Sequence, residues 1–187
     1  FQFQNGIEII VMNNAKIKAS GTMTFIRNSM LTIMETGEVN ADDVSFTNGA
    51  PAAFRNWGTL TVANKMTLHS GATLYNEGTI TSKDISINSN TKIVNDNKIE
   101  LKGELNLPSN FSLENNGEIY GEALIANSDA VATNNNIMRF TTISLTNTTF
   151  NNACSMEATT SFYANGATFN FTQGYLKAPK MEFVNGT

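Results

Sequence analysis

Few residues in this chain are of a type and spacing that could do chemistry. Asp42-Asp43 is its one acidic doublet. Two carboxylates at a set separation in a groove carry out acid/base hydrolysis, and acidic metal ligands beside an Arg or Lys base serve a lyase. The positions one repeat further on, Asn64 and Lys65, do not extend an acidic cluster, so the doublet reads as a polar turn. His69 is the single His and has no Cys or acidic residue at ligand spacing, which leaves a zinc site or a Ser-His-Asp triad without members. Cys154 is the single Cys; it cannot form an internal disulfide, and it stands where neighbouring repeats have Gly, as a small packed residue. Neither a Gly-rich phosphate loop nor a calcium-binding Gly-Gly-x-Gly-x-Asp nonapeptide occurs. The expectation is therefore no catalytic residue, no metal and no cofactor.

Two binding chemistries remain. Trp57 and Tyr75 fall near each other on successive repeats and point outward by alternation, and exposed aromatic faces stack on sugar rings. The bland alternative makes them edge residues that cover a corner. Thr59-Leu60-Thr61 and Thr79-Ile80-Thr81 put Thr-x-Thr on adjacent repeats, as an ice-binding surface requires. The next repeats read Lys98-Ile99-Glu100 and Glu118-Ile119-Tyr120, so that array stops after two.

The composition narrows the partners. Across 187 residues, 12 Lys and Arg face 16 Asp and Glu, for a net charge of −4. A nucleic-acid partner needs a basic patch, and none appears. No apolar run approaches the ~20 residues that span a membrane. Asn is over-used, at 27 residues, while Pro occurs only three times. Asn and Gly accept turn conformations that other residues resist, so many similar turns are expected. The chain starts at Phe1 rather than Met and stops at Asn185-Gly186-Thr187. It reads as a piece of a longer chain, with further coils or domains as its nearest partners.

The elements that position these residues come from a repeat. Phe54-Arg55-Asn56-Trp57-Gly58-Thr59-Leu60 is matched by Leu74-Tyr75-Asn76-Glu77-Gly78-Thr79-Ile80, by Ile93 to Ile99, by Leu113 to Ile119 and by Ala132 to Met138. The pattern is apolar-x-Asn-x-Gly/Asn-x-apolar, and Phe150 to Met156 continues it. Asn56, Asn76, Asn95, Asn115, Asn134 and Asn152 step by 20, 19, 20, 19 and 18 residues. After each comes an apolar-x-apolar segment (Leu60 and Val62, Ile99 and Leu101, Met138 and Phe140). A polar corner and a second such segment follow (Met66 and Leu68, Ile85 and Ile87, Leu105 and Leu107). Each repeat closes on a polar or small residue such as Asn28, Asn48, Ser70, Ser89 or Asn147.

Strict alternation over three to five residues is a strand signal. Three short strands per repeat, with inward positions aligned, describe an all-β, single-stranded parallel β-helix of about nine coils of 18–22 residues. Parallel neighbours lie about 4.8 Å apart, so nine coils would make a rod of roughly 43 Å. Left-handed β-helices follow a regular six-residue repeat, whereas these coils vary in length and have unequal sides, which favours the right-handed form. Residues 1–187 read as one solenoid domain, with 1–14 an atypical first coil or cap. The Asn column is expected to bond rung to rung at the bend, with the following Gly or Asn at positive φ. Opposite charges on adjacent rungs, as in Lys16 with Glu38 and Lys98 with Glu118, are expected to pair across strands.

The phrase apolar-x-Asn-x-Gly-x-Ile/Leu every 19 or 20 residues resembles the repeats of filamentous-haemagglutinin-type adhesins and other exported bacterial β-helix proteins. It is also similar to Asn-rich solenoid regions of bacterial surface proteins that carry an LruC-type domain. The resemblance runs from about Ala15 onward and weakens in the last coils, where Phe171 reads as an insertion before Gly174. It implies export to the cell surface or medium, a long stalk, and adhesion to a host or matrix glycan or protein. It carries over no catalytic residue, because the motif contains none. The reading is a non-catalytic structural or adhesive module. A carbohydrate-binding module, or a degenerate polysaccharide lyase or hydrolase on a β-helix, is the alternative.

Overall fold

The computed structural model describes residues 1–47 and 53–186; Asn48, expected to close a coil, and the terminal Thr187 lie outside the described residues. Every strand pairing among the described residues is parallel, and the strands form a 12-stranded and a 9-stranded sheet. The expected parallel solenoid of about nine turns is what the chain forms.

Each coil begins with a four-residue strand of the smaller sheet. In chain order these are Glu8–Val11, Met30–Ile33, Ala53–Asn56, Thr73–Asn76, Lys92–Asn95, Ser112–Asn115, Val131–Asn134, Thr149–Asn152 and Thr168–Phe171. After a tight bend the chain enters the larger sheet as a longer strand. Lys16–Ile26, Glu38–Thr47, Thr59–Leu68, Thr79–Ile87, Glu118–Ala126, Ile137–Thr146 and Ser155–Asn165 are continuous. Two coils are split instead, into Lys98–Leu101 with Glu104–Leu107 and Tyr175–Lys177 with Lys180–Val184. The three strand segments expected per coil are thus present, but the polar corner between the second and third is usually a bulge in one strand. The register shifts there, for example between Val62 and Lys65 and between Phe140 and Thr142. An extra residue at a bulge bends a strand without ending it. Residues 1–14 pair in the same way as later coils, with Phe3 opposite Phe25 and Glu8–Val11 opposite Met30–Ile33.

Alternation decides which side chains enter. Along Thr59–Leu68 the buried positions are Leu60, Val62, Met66 and Leu68. Because inward positions stay opposite one another on either side of each bulge, they stack into apolar columns, and each coil supplies the cover its neighbour needs. Phe3, Phe25 and Phe46 stack at ring spacings of 4.8 and 4.9 Å in the early coils, and Phe150 stacks on Phe169 at 5.5 Å in the late ones. Fully burying a side chain of this size contributes about 1.5–3 kcal/mol.

Among the described residues, the corners that close the coils take a left-handed residue. Asn28, Gly71, Asn90, Asn110, Asp129, Asn147, Gly166 and Asn185 have φ between 48° and 84°. These are the residue types that reach that region at little cost, so the corners take up one share of the many Asn. The glycines after the Asn column were expected there too, and the structure corrects this. Gly78 and Gly117 are not at positive φ. Their role is close approach: a Cβ would lie 2.2 Å from the Gly58 carbonyl oxygen at Gly78 and 2.0 Å from that of Asn97 at Gly117. Gly174, with φ of 86°, is the member of that column which is left-handed.

Candidate functional site

The Asn column lies at the inward last position of the short strands. Asn56, Asn76, Asn95, Asn115, Asn134 and Asn152 are at most 1% exposed. Each Nδ2 donates to the Oδ1 of the Asn one rung on, at 2.7 Å in all five steps from Asn56 to Asn152. The remaining proton goes to carbonyls at the bends, as from Asn56 to Thr79 at 3.1 Å and from Asn115 to Gly117 and Ile137 at 3.0 Å. All the donors point the same way, so the ladder has two unlike ends. At the early end the partner rung carries Ile33, and the buried Asn56 Oδ1 has no hydrogen-bond partner. At the late end the next rung carries Phe171, and Asn152 turns its amide to the Cys154 carbonyl at 2.8 Å. The ladder has no opening to a ligand; its amides are used in holding rungs together.

Most other chemistry-bearing groups have local work. Asp42 accepts the Gly21 amide at 2.7 Å, Asp43 the Lys65 amide at 3.2 Å and Asp84 the Glu104 amide at 3.2 Å, all at the bulge or break between strand segments. These carboxylates satisfy backbone donors that the bulge leaves unpaired. The His69 ring shares a hydrogen bond with the Asn88 amide at 3.1 Å. Cys154 is a half-buried free thiol at the bend, and its carbonyl accepts the Tyr175 amide at 3.0 Å. The two Thr-x-Thr segments are in register, Thr59 on Thr79 and Thr61 on Thr81, and give way to Lys98 and Glu100 on the next rung.

Surface charges pair largely between rungs. Lys16 meets Glu38 at 2.9 Å, and Glu157 meets Arg139 at 3.3 Å and Lys177 at 3.0 Å. The hydrogen bond from Lys177 holds the Glu157 carboxyl below the usual carboxylate range, with Arg139 helping. Lys98 departs from expectation. Its register partner is Glu118, yet it pairs with Glu100 at 2.8 Å and lies over the Tyr120 ring, while Glu118 accepts the Tyr120 hydroxyl at 2.9 Å. A hydroxyl donor beside Glu118 removes the need for the lysine there. The Glu100 hydrogen bond raises the Lys98 pKa, and burial followed by the Glu118 hydrogen bond raises that of Tyr120.

Two outward concavities stand apart from this pairing. One, of about 470 Å³, lies along the bulges and is lined by Lys65, Lys83 and Lys102 together with Asp84, Glu104 and Glu122. Its three cations and three carboxylates leave it without net charge. The other, of about 230 Å³, is lined by Arg55, Trp57, Tyr75 and Glu77. The aromatic pair expected from the sequence therefore shares one cavity, and two charged residues not singled out by that reading join it. The register explains the arrangement. Asn56 pairs with Asn76 and Arg55 with Tyr75, so Trp57 and Glu77 take matching places just after the ladder. The four side chains form a two-by-two grid, aromatic along one diagonal and charged along the other. Arg55 and Glu77 are exposed, Tyr75 is 39% exposed and Trp57 is half-buried. Among the described residues, neither Arg55 nor Glu77 forms an ion pair, and neither aromatic ring stacks on another ring. The signal that finds Arg55 and Glu77 is the repeat itself, since they fill the two x positions that flank the ladder Asn.

Comparison with curated proteins and with solved structures finds no match. A family model described as the haemagglutinin repeat matches residues 14–153, from just before the strand Lys16–Ile26 to the bend after the last ladder Asn. The chain belongs to the haemagglutinin repeat family.

Proposed function

We propose that this chain is a non-catalytic module of a secreted or cell-surface bacterial protein, serving as a stalk and as an adhesive face. The observation that carries the reading is the commitment of its polar groups. The interior amides bind rung to rung, the bulge carboxylates bind backbone amides, and several surface ions pair along the stack. Such a body resists bending and displays one face per sheet, which is what a stalk or adhesive surface needs. Membership of the haemagglutinin repeat family supports the same role. Beads coated with the chain are expected to adhere to host cells or to extracellular matrix. Beads that adhere to neither would remove the adhesive role and leave the stalk.

Glycan binding is the second reading, and the grid of Arg55, Trp57, Tyr75 and Glu77 favours it. Two partly exposed aromatic faces beside two unpaired polar heads supply both halves of sugar recognition: stacking on ring C–H faces and hydrogen bonding to hydroxyls. A glycan array probed with the chain tests it, with retention on at least one sugar class expected and uniform blankness as the contrary result.

A further inference from the structure

We infer that the Arg55–Trp57–Tyr75–Glu77 cavity takes a sugar unit that bears a carboxylate. The inference rests on the glycan reading and adds the chemical class. Arg55 is exposed, lines the cavity and forms no ion pair among the described residues, although Glu77 lines the same space. An arginine fork matches a carboxylate through two parallel hydrogen bonds. On the other diagonal, Trp57 and Tyr75 belong to adjacent rungs, whose spacing of about 4.8 Å brings both rings within reach of a single pyranose.

Glu77 decides between two kinds of carboxylate ligand. Ionised, it only accepts hydrogen bonds, so the ligand must bring donors to it. Sugar hydroxyls are donors. An acidic peptide would bring further carboxylates against Glu77 and against Asp96, which occupies the same place one rung on, and like charges so placed repel. One cation, one acceptor and two stacking faces therefore fit one acidic monosaccharide unit. The neighbouring coils do not repeat the set, since the matching pairs are Val94 with Asp96 and Glu114 with Asn116. The site is a single subsite rather than a track.

The test measures binding of the chain to galacturonic acid and to its methyl ester, with sialyllactose against lactose as a second pair. The carboxylated member of each binding pair is expected to bind at least tenfold more tightly, about 1.4 kcal/mol, with the preference shrinking as salt is added. Arg55→Gln is expected to abolish the preference while leaving residual binding of the neutral form. Trp57→Ala is expected to weaken both forms; Tyr75→Ser, at a more exposed position, serves the same end if Trp57→Ala unfolds. Equal affinity for charged and neutral members overturns the inference and leaves the glycan reading standing. Retention of a poly-glutamate peptide with no retention of either sugar pair overturns both, as does an Arg55→Gln variant that binds like the parent together with an unchanged Trp57→Ala.

Discussion

The same inward position is filled in two ways along this rod. In the first two coils it holds Val11 and Ile33; in the next six it holds Asn. Burial is equal, at 2% or less in every case. The aliphatic pair needs nothing beyond contact. The amides need one another, because a buried Asn offers two donors and an acceptor that water cannot reach. An amide column is therefore stable as a column and costly as a single residue. Its cost gathers at the boundary, where the Asn56 Oδ1 faces Ile33 without a partner. The apolar coils fix how deep the core is, and the amide coils also fix which rung sits on which, since a slip of register by one residue would break every bond in the ladder.

That contrast can be broken most severely at its centre. Asn115→Leu removes two ladder bonds and leaves the Asn95 amide and the Asn134 Oδ1 without their ladder partners. At about 1–3 kcal/mol for each abandoned buried group, a loss of about 3–5 kcal/mol is expected. Urea denaturation with an unchanged slope would measure it. A smaller loss, about 2–3 kcal/mol, is expected for Gly78→Ala, whose new Cβ meets only backbone atoms, the nearest at 2.2 Å. Gly37→Ala, at the bend after Ile33 and with its nearest atom at 2.8 Å, is expected to lose less in the same titration. At the ladder boundary the effect nearly cancels. Asn56→Ile removes the orphaned acceptor at Asn56 and creates one at Asn76, so a change of about 1 kcal/mol or less is expected. A boundary variant as damaging as the central one would erase the distinction between the two regions.

The smallest effect lies outside the ladder. The folded-state pKa of Glu157 is depressed by Lys177 and Arg139, so its stabilising contribution is complete above the ordinary carboxylate pKa and lost as pH falls through the depressed value. Lys98 has a raised pKa, so its contribution is complete below the ordinary lysine pKa and fades as pH rises through the higher one. Glu157→Gln is expected to flatten the acid limb of the thermal midpoint against pH and leave the alkaline limb unchanged. An unaltered acid limb would refute the Glu157 assignment.

The parts of this fold that were legible in the sequence are those that repeat inward. Leu60, Ile80, Ile99 and Ile119 alternate with polar residues and recur at one spacing, so strands, coils and ladder could be read without coordinates. Outward and local choices were less legible. The corner near Asn64 is a bulge because the backbone continues to pair across it, which side-chain pattern does not encode. Lys98 selects Glu100 over its register partner because the Tyr120 hydroxyl already serves Glu118. Left-handed geometry falls at Asn90 and Asn110 rather than after the ladder because Gly78 and Gly117 answer to a packing limit instead. At the grid, Trp57 and Tyr75 stood out by residue type. Arg55 and Glu77 needed the register to be seen as their companions.

The inner ladder has an outer counterpart that makes a direct test possible. Asn116 donates to Asp96, and Asn135 to Asn116, both at 2.7 Å and both at the surface. Side-chain amide hydrogen exchange followed by NMR compares the two sets within one molecule. The Nδ2 protons of Asn76, Asn95, Asn115 and Asn134 are expected to exchange only on global unfolding, while those of Asn116 and Asn135 exchange freely. Inner amides that exchange as fast as the outer ones would contradict this.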